Sequence, residues 1–301
     1  MGGPNSLDEV EVFLNNMFHD KNIITVKSDL LRSLISYMIV TSRKDEARSN
    51  YEKLGGKSPI VDYTKKLVEK LQNKLKDTYV TYAMRYTPPF AKDVVNELKQ
   101  KNITEVMLLP LYPHYSTTTT KSSLEDFKQA LAPLSIKSSH IEKFYENRLY
   151  NELLIDKIEE QLKDRDSNEF ELIFSAHSLP QKIVDNGDTY QKEVLHHVEL
   201  LKKILKDKNL IFKDIHIAYQ SKLGPVKWLE PSLETLLGSL VCKKVIISPL
   251  SFTIDNSETE FELSIEYKEI AKELKYEEYL VAKCPNDSDK FIKVISDLTI
   301  F

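Results

Sequence analysis

The residues of this chain best suited to chemistry fall in two segments about eighty residues apart. In ELIFSAHSLP (171–180), His177 closes an apolar run that reads as a buried strand. In ISPLSFTIDNSETEFELSIEYKEI (247–270), a similar run hands over to Glu258, Glu262 and Glu266, spaced at i, i+4 and i+8. A neutral imidazole accepts a proton near pH 7. Like charges at i, i+4 destabilise a helix by about 0.2–0.5 kcal/mol per pair. No lysine or arginine lies within 251–267 to offset them, and Lys268 is the first. A carboxylate ladder without its own counter-ions raises its members' pKa values and suits a path for protons or cations. Open α/β sheets bind ligands at the carboxyl ends of strands, so the two segments predict a metal- or proton-handling pair there. A hydrogen-bonded structural histidine and a solvated helix face are the plain alternatives.

A second set of residues suits a flat or anionic ligand. Arg43, Tyr51 and Ser58 occur in TSRKDEARSNYEKLGGKSPI (41–60), and Arg85 follows TYAM just before a YTPP turn. Arginines at strand ends can hold carboxylate or phosphate through paired hydrogen bonds, and a surface salt bridge is the default for each. His114 and Tyr115 precede STTTTKSS (116–123), whose hydroxyls also suit a helix cap. Trp228 and Tyr190 can stack on a flat ligand or pack into a core.

Strand-like runs alternate with amphipathic segments along most of the chain. TYVTYAMRY (78–86), TEVMLLPLYP (104–113), LSIKSSHIEKFY (134–145), FELIFSAHS (170–178), DIHIAYQSK (214–222), CKKVIISPLSF (242–252) and EYLVAKCP (278–285) read as strands. Helical periodicity marks 59–75, 90–102, 122–134, 149–164, 189–208 and 229–240. Such alternation implies βαβ units and parallel sheets. EVMLLPLYPHYST (105–117) also resembles KVIISPLSFTIDN (244–256), and TYAMRYTPP (81–89) resembles HIAYQSKLGP (216–225). The expectation is two similar α/β domains. The first takes residues 1–145, with about 280–301 crossing back to it, and the second takes 146–279. A strand that should feed the opening MGGP is absent, and a truncated start is expected.

Composition narrows the class. The chain has 301 residues, 42 basic against 46 acidic, a net charge of -4 and 41% hydrophobic residues. A nucleic-acid binder would show a basic excess. Glycine-rich phosphate loops are absent, so no nucleotide cofactor is expected. Cys242 and Cys284 are the only cysteines. No segment reaches the roughly 20 apolar residues of a membrane span. The most apolar stretch, LLRSLISYMIV (30–40), is expected as a helix over a core, with peripheral membrane contact as the alternative. MGGPNS fits a short myristoylation pattern, for which a plain glycine-proline turn is the simpler reading. No signal peptide precedes it, so the expected location is cytoplasmic.

Several ordered segments together resemble the ferrochelatases, enzymes that insert ferrous iron into a porphyrin. They are MGGP (1–4), YEKLGGKSPI (51–60), AMRYTPP (83–89), LLPLYPHYSTTTTKSS (108–123), FSAHSLP (174–180), NGDTYQKEV (186–194), YQSKLGPVKWLEP (219–231) and SPLSFTIDNSETEFELSIEY (248–267). The resemblance implies two Rossmann-like domains with four-stranded parallel sheets and a porphyrin cleft between them. It makes His177 the metal-site and proton-accepting histidine and Glu258 the facing carboxylate. Glu262 and Glu266 become a proton or metal conduit, on a helix that is often π-distorted in the family. Met1, Arg43, Tyr51, Ser58, Arg85 and Tyr190 become porphyrin-binding, joined by His114 and Trp228 from the residue reading. Fe²⁺ is expected as substrate, with no tightly bound cofactor and no iron–sulfur cluster, and the protein as a monomer. MGGP favours protoporphyrin over coproporphyrin. Asn256 stands where many members have histidine, and Lys121 where they have glycine. A chelatase for another metal and tetrapyrrole, or a non-catalytic porphyrin carrier, are the rival readings.

Overall fold

The structure, a computed structural model, describes residues 1–222 and 224–299. The chain divides into two compact units. The first comprises Met1–Pro110, Ser116–Glu142 and the chain from Ser296, and the second Leu111–Tyr115 and Lys143–Ile295.

The first unit carries α1 (Val10–His19), α2 (Asp29–Lys53), α3 (Ile60–Lys74), α4 (Ala91–Gln100), β1 (Glu105–Leu108), a first π-helix (Thr117–Lys121), α5 (Ser122–Leu131) and β2 (Lys137–His140). Apolar spacing explains its helices. Val61, Thr64, Leu67 and Leu71 share one buried stripe of α3, and Ala91, Val94, Val95 and Leu98 one of α4. β1 and β2 pair in parallel from Glu105↔Lys137 to Leu108↔His140. This sheet has two strands among the described residues, where the resemblance implied four. Segment 78–86 forms no ladder. The Met84 N–H donates to the Pro89 carbonyl, and the N–H groups of Arg85 and Tyr86 both donate to the Met1 carbonyl.

The helix expected to cover a core with residues 30–40 does not. Leu30, Leu31, Leu34, Tyr37 and Met38 are exposed, Leu30 by 84%. They form one stripe of α2, whereas the stripe that carries Ser36 and Val40 is the buried one. Ser36, small and fully buried, lets α1 approach closely, and its Oγ lies 2.8 Å from His19 Nδ1.

The second unit carries α6 (Arg148–Leu162), β3 (Glu171–His177), α7 (Gln181–Asp185), α8 (Tyr190–Asp207), β4 (Ile215–Gln220), α9 (Leu233–Ser239), β5 (Lys244–Pro249), a second π-helix (Glu258–Glu266), α10 (Tyr267–Glu273), β6 (Glu278–Val281) and α11 (Asp289–Thr299) as far as Ile295. Its sheet is wholly parallel in the order β4-β3-β5-β6. Central β3 is buried nearly throughout because both of its faces are covered. One face packs Ile173, Ala218, Val245 and Ile247 against Leu233, Leu237 and Leu263. Where the crossing-back was expected from about residue 280, β6 pairs with β5 from Lys244↔Glu278 to Ile247↔Val281 in the second unit, and the chain passes to the first unit within α11, at Ser296.

Candidate active site

The chain leaves β3 for β4 on one side, then returns to place β5 on the other side of β3. Such a reversal opens a crevice at the strands' carboxyl ends. His177 ends β3 there, and the loop after β5 leads into the second π-helix at Glu258.

The backbone of His177 is held by hydroxyls. Its N–H donates to Ser251 Oγ at 2.8 Å, and its carbonyl accepts the Tyr190 hydroxyl at 2.9 Å. The two hydroxyls are themselves 2.8 Å apart, so Ser251 and Tyr190 bracket the peptide that carries the imidazole. The ring stands edge-on to Phe252 at 6.2 Å. Nδ1 is buried with no hydrogen-bond partner among the described residues. Buried polar atoms are rarely left so, and functional sites are a common reason. Burial pushes the imidazole below its ordinary 6.5, with the Glu258 charge pulling the other way. Near neutral pH the ring is therefore an uncharged acceptor.

The acidic column starts under a cap. Asn256 Oδ1 accepts the N–H groups of Glu258 at 2.9 Å and Thr259 at 3.1 Å, at the start of the helix. That occupies the Asn256 side chain locally, at the position where histidine was the expected alternative. In an α-helix of 3.6 residues per turn, an i, i+4, i+8 series drifts by about 40° per step. The wider turn of a π-helix, closed by i→i+5 bonds, reduces that drift. Glu266 is exposed, and Glu258 and Glu262 are partly buried. Burial pushes Glu262 up to about 7, against hydrogen bonds from Ser221 and Gln220 that favour its charged form. A carboxyl that titrates near neutrality can pass protons in either direction.

Sequence reasoning missed four residues of this site: Ser251, Gln220, Ser221 and the capping role of Asn256. Ser221, at φ +67°, occupies the left-handed region as a non-glycine residue and aims its hydroxyl at Glu262. The signal available was the polar run after β4, in YQSK, opposite the His177 strand end. Among the described residues, no three His, Cys, Asp or Glu side chains gather as a metal cage.

Other expected ligand-holding residues divide. In the first unit, Met1, Ser58 and Arg85 come together at the chain start, where the Ser58 N–H also donates to the Pro4 carbonyl. The paired glycines allow this. A Cβ on Gly2 (φ +92°) would sit 2.5 Å from Thr87 Oγ1, and one on Gly3 2.6 Å from Ser58 Oγ. Arg43 is partly exposed and only loosely paired, 3.8 Å from Glu46. Tyr51 is buried at the end of α2.

Arg85, expected to bind porphyrin, is engaged by acids within the first unit. Its guanidinium lies 3.1 Å from Asp20 and 3.5 Å from Asp126, and donates from Nε to Ser122 at 3.0 Å. Burial disfavours the Asp20 carboxylate, yet bonds from Ser122, the Asn22 N–H and Tyr86, with the Arg85 charge, hold its pKa below the ordinary value. Arg85 thus neutralises a buried acid. A cavity of about 270 Å³ beside it is lined by this same ion-paired group.

His114 is engaged within the second unit. It is 1% exposed, with Nε2 2.9 Å from His197 Nδ1, and His197 Nε2 lies 2.8 Å from Asn151 Oδ1. Burial pushes His114 down to about 3, so it is a neutral core residue. Tyr190 is buried too and turns its hydroxyl on the His177 backbone, so it supports the imidazole. Trp228 is partly buried, bridges to Pro180 and keeps a buried Nε1 without a partner among the described residues.

The ferrochelatase family model matches residues 1–300. The chain is 58% identical to a ferrochelatase of Nitratiruptor sp., covering 99% of this chain and 96% of the relative. It is 53% identical to one of Sulfurimonas denitrificans, covering 99% and 95%. Among solved structures it resembles SirB from Bacillus subtilis with Fe³⁺, with a TM-score of 0.53 and 10% identity. That match covers 77% of this chain and 88% of SirB, a likeness of fold.

Proposed function

The chain belongs to the ferrochelatase family, and from that premise we propose that it inserts Fe²⁺ into protoporphyrin IX, forming protohaem and releasing two protons. The metal is substrate, and the protein's task is to hold the ring and remove the pyrrole protons. The observation that carries this reading is the His177 Nδ1, buried at a sheet's switch point without a partner among the described residues.

A free porphyrin blocks its central hole with two N–H groups. Insertion needs a distorted ring, two departing protons and a desolvated metal. Holding the bent ring better than the flat one is what raises the rate. His177, uncharged near neutrality, accepts a pyrrole proton. Glu258 is the partner carboxylate for proton or metal, and Glu262 and Glu266 relay protons to the exposed end of the helix. Imidazole with carboxylates suits a borderline divalent ion. Arg43, with its loose pairing, is the cation offered to a propionate, and Met1, Tyr51, Ser58 and Trp228 are further ring-binding residues.

Anaerobic incubation with protoporphyrin IX and Fe²⁺ or Zn²⁺, followed by absorbance, tests this. Wild type metallates the ring, and His177→Ala binds it without inserting metal. Equal insertion by both would remove His177 from the mechanism, and a wild type that only binds the ring would make the protein a carrier.

The open stripe of Leu30, Leu31, Leu34, Tyr37 and Met38 on α2 supports a second element of the proposal, peripheral contact with a lipid surface. Vesicle co-sedimentation should fall several-fold in a Leu34→Ser, Tyr37→Ser variant. Undiminished binding would exclude this helix as the contact.

A further inference from the structure

Gln220 is fully buried at the last position of β4, and its register partner on β3 is His177. Its main-chain carbonyl accepts the Ser178 N–H at 2.8 Å, next to the imidazole-bearing residue. Its side chain reaches the other way. Oε1 accepts from Ser175 Oγ at 2.7 Å. Nε2 donates to the Glu258 carbonyl at 3.2 Å and to Glu262 Oε2 at 3.1 Å. The amide has one sensible orientation, because two acceptors on the π-helix require its two hydrogens and the Ser175 hydroxyl supplies the proton for its oxygen. One residue therefore grips both halves of the site.

We infer that Gln220 is a positioning residue for metal insertion: it sets the separation between the His177 imidazole and the Glu258–Glu262 turn of the second π-helix. This rests on the function proposed above and adds to it a residue that touches neither ring nor metal. A plain cross-strand pin would need only the main-chain bond to Ser178. The fully used amide is surplus to that role. π-helical turns are rare and frequently sit at functional sites, and this external tie on the first turn fixes where the carboxylates stand. Ser175, fully buried on β3, locks the amide in turn.

Steady-state insertion of Zn²⁺ into protoporphyrin by wild type, Gln220→Met, Ser175→Ala and His177→Ala tests the inference. Methionine keeps the length and loses both donors. Gln220→Met should lower kcat by about 10- to 100-fold, as misplacement near 1 Å does. Its KM for porphyrin and its fluorescence-measured porphyrin affinity should stay within about threefold, since binding groups are untouched. Ser175→Ala keeps the glutamine but frees its amide, and should give a smaller kcat loss with the same unchanged KM. It also serves if Gln220→Met does not fold. The inference is overturned if the folded variants keep the wild-type kcat while His177→Ala is inactive, or if their losses fall on KM and affinity. Full insertion by His177→Ala would overturn the proposed function instead, and this inference with it.

Discussion

Two stretches of the molecule share one plan and diverge in content. In the first, β1 leads through a proline-containing loop to the π-helix Thr117–Lys121; in the second, β5 leads through a similar loop to the π-helix Glu258–Glu266. Each π-helix has a capping side chain. Ser116 Oγ accepts the Thr118 N–H at 3.2 Å, and Asn256 Oδ1 accepts from Glu258 and Thr259. The first helix is short and hydroxyl-rich, with Thr118 and Thr120 buried, and it runs into α5, where Ser122 serves the Asp20 carboxylate. The second is nine residues long and carries three carboxylates on a common spacing. The π-turn is thus a property of the repeated scaffold. The acids belong to the second helix alone, and burial disfavours the charge of Glu262.

The same contrast holds for the two imidazoles. His114 and His177 both follow strand-like runs, yet the first is bonded into a His–His–Asn chain and the second keeps Nδ1 unsatisfied. Substitution should separate them by the widest margin. His177→Ala is expected to lose about 10²- to 10⁴-fold in insertion rate, the usual worth of a general base. His114→Phe should keep kcat within about threefold while losing about 1–3 kcal/mol of stability, because the buried His197 Nδ1 loses its partner. The pH dependence differs as well. A histidine depressed to about 3 in the fold is protonated only in the unfolded chain between pH 6.5 and 3, so stability falls as pH drops through that window. Denaturant melts of His114→Phe at pH 5 and 7.5 should show a weaker acid loss than wild type. A His114 variant as inactive as His177→Ala would collapse the distinction.

Glu262 sharpens the contrast between the two π-helices. Raising a carboxyl from 4.5 to about 7 corresponds to about 3 kcal/mol against its charged form. Here the folded state holds the proton more tightly than the unfolded state, so stability is highest below pH 4.5 and declines as pH rises towards 7. Glu262→Gln, which can still accept from Ser221 and Gln220, should therefore be more stable than wild type by about 1–3 kcal/mol at pH 8. The gain should vanish near pH 4.5, and insertion should slow by about 10-fold or more. Thermal melts at both pH values, beside the rate, check this. Thr118→Val in the first π-helix should show no such pH-dependent gain.

Much of this was legible in the residues. The β3 run, the His177 end and the i, i+4, i+8 acids are local patterns, and tertiary packing kept each in place. The partners of Arg85 and His114 were not legible, because a side chain's partner is set by topology. Nothing in AMRYTPP shows that Asp20, sixty-five residues earlier, will claim the guanidinium. Gln220 was missed for the same reason, since its importance lies in three bonds to elements distant in the chain. The stripe on α2 was assigned to a core because apolar periodicity reports a face and cannot report what covers it. The segment 78–86 has strand composition, but a strand also needs a neighbour to pair with.

The smallest expected effect concerns the caps. Removing a side-chain cap usually takes about 0.5–2 kcal/mol from a helix. Ser116→Ala should do only that, because the helix it starts carries no acidic column. Asn256→Ala should cost a similar amount of stability and lower kcat by a further few-fold, since the N–H it caps belongs to Glu258 itself. Asn256→Asp retains an acceptor for both N–H groups and should restore stability. It also adds a negative charge beside Glu258, so its rate need not follow. If Asn256→Ala and Ser116→Ala match in both stability and rate, the cap at the acidic helix is structural alone. A rate loss confined to Asn256→Ala would mean that the start of the carboxylate line must be held as firmly as the imidazole opposite.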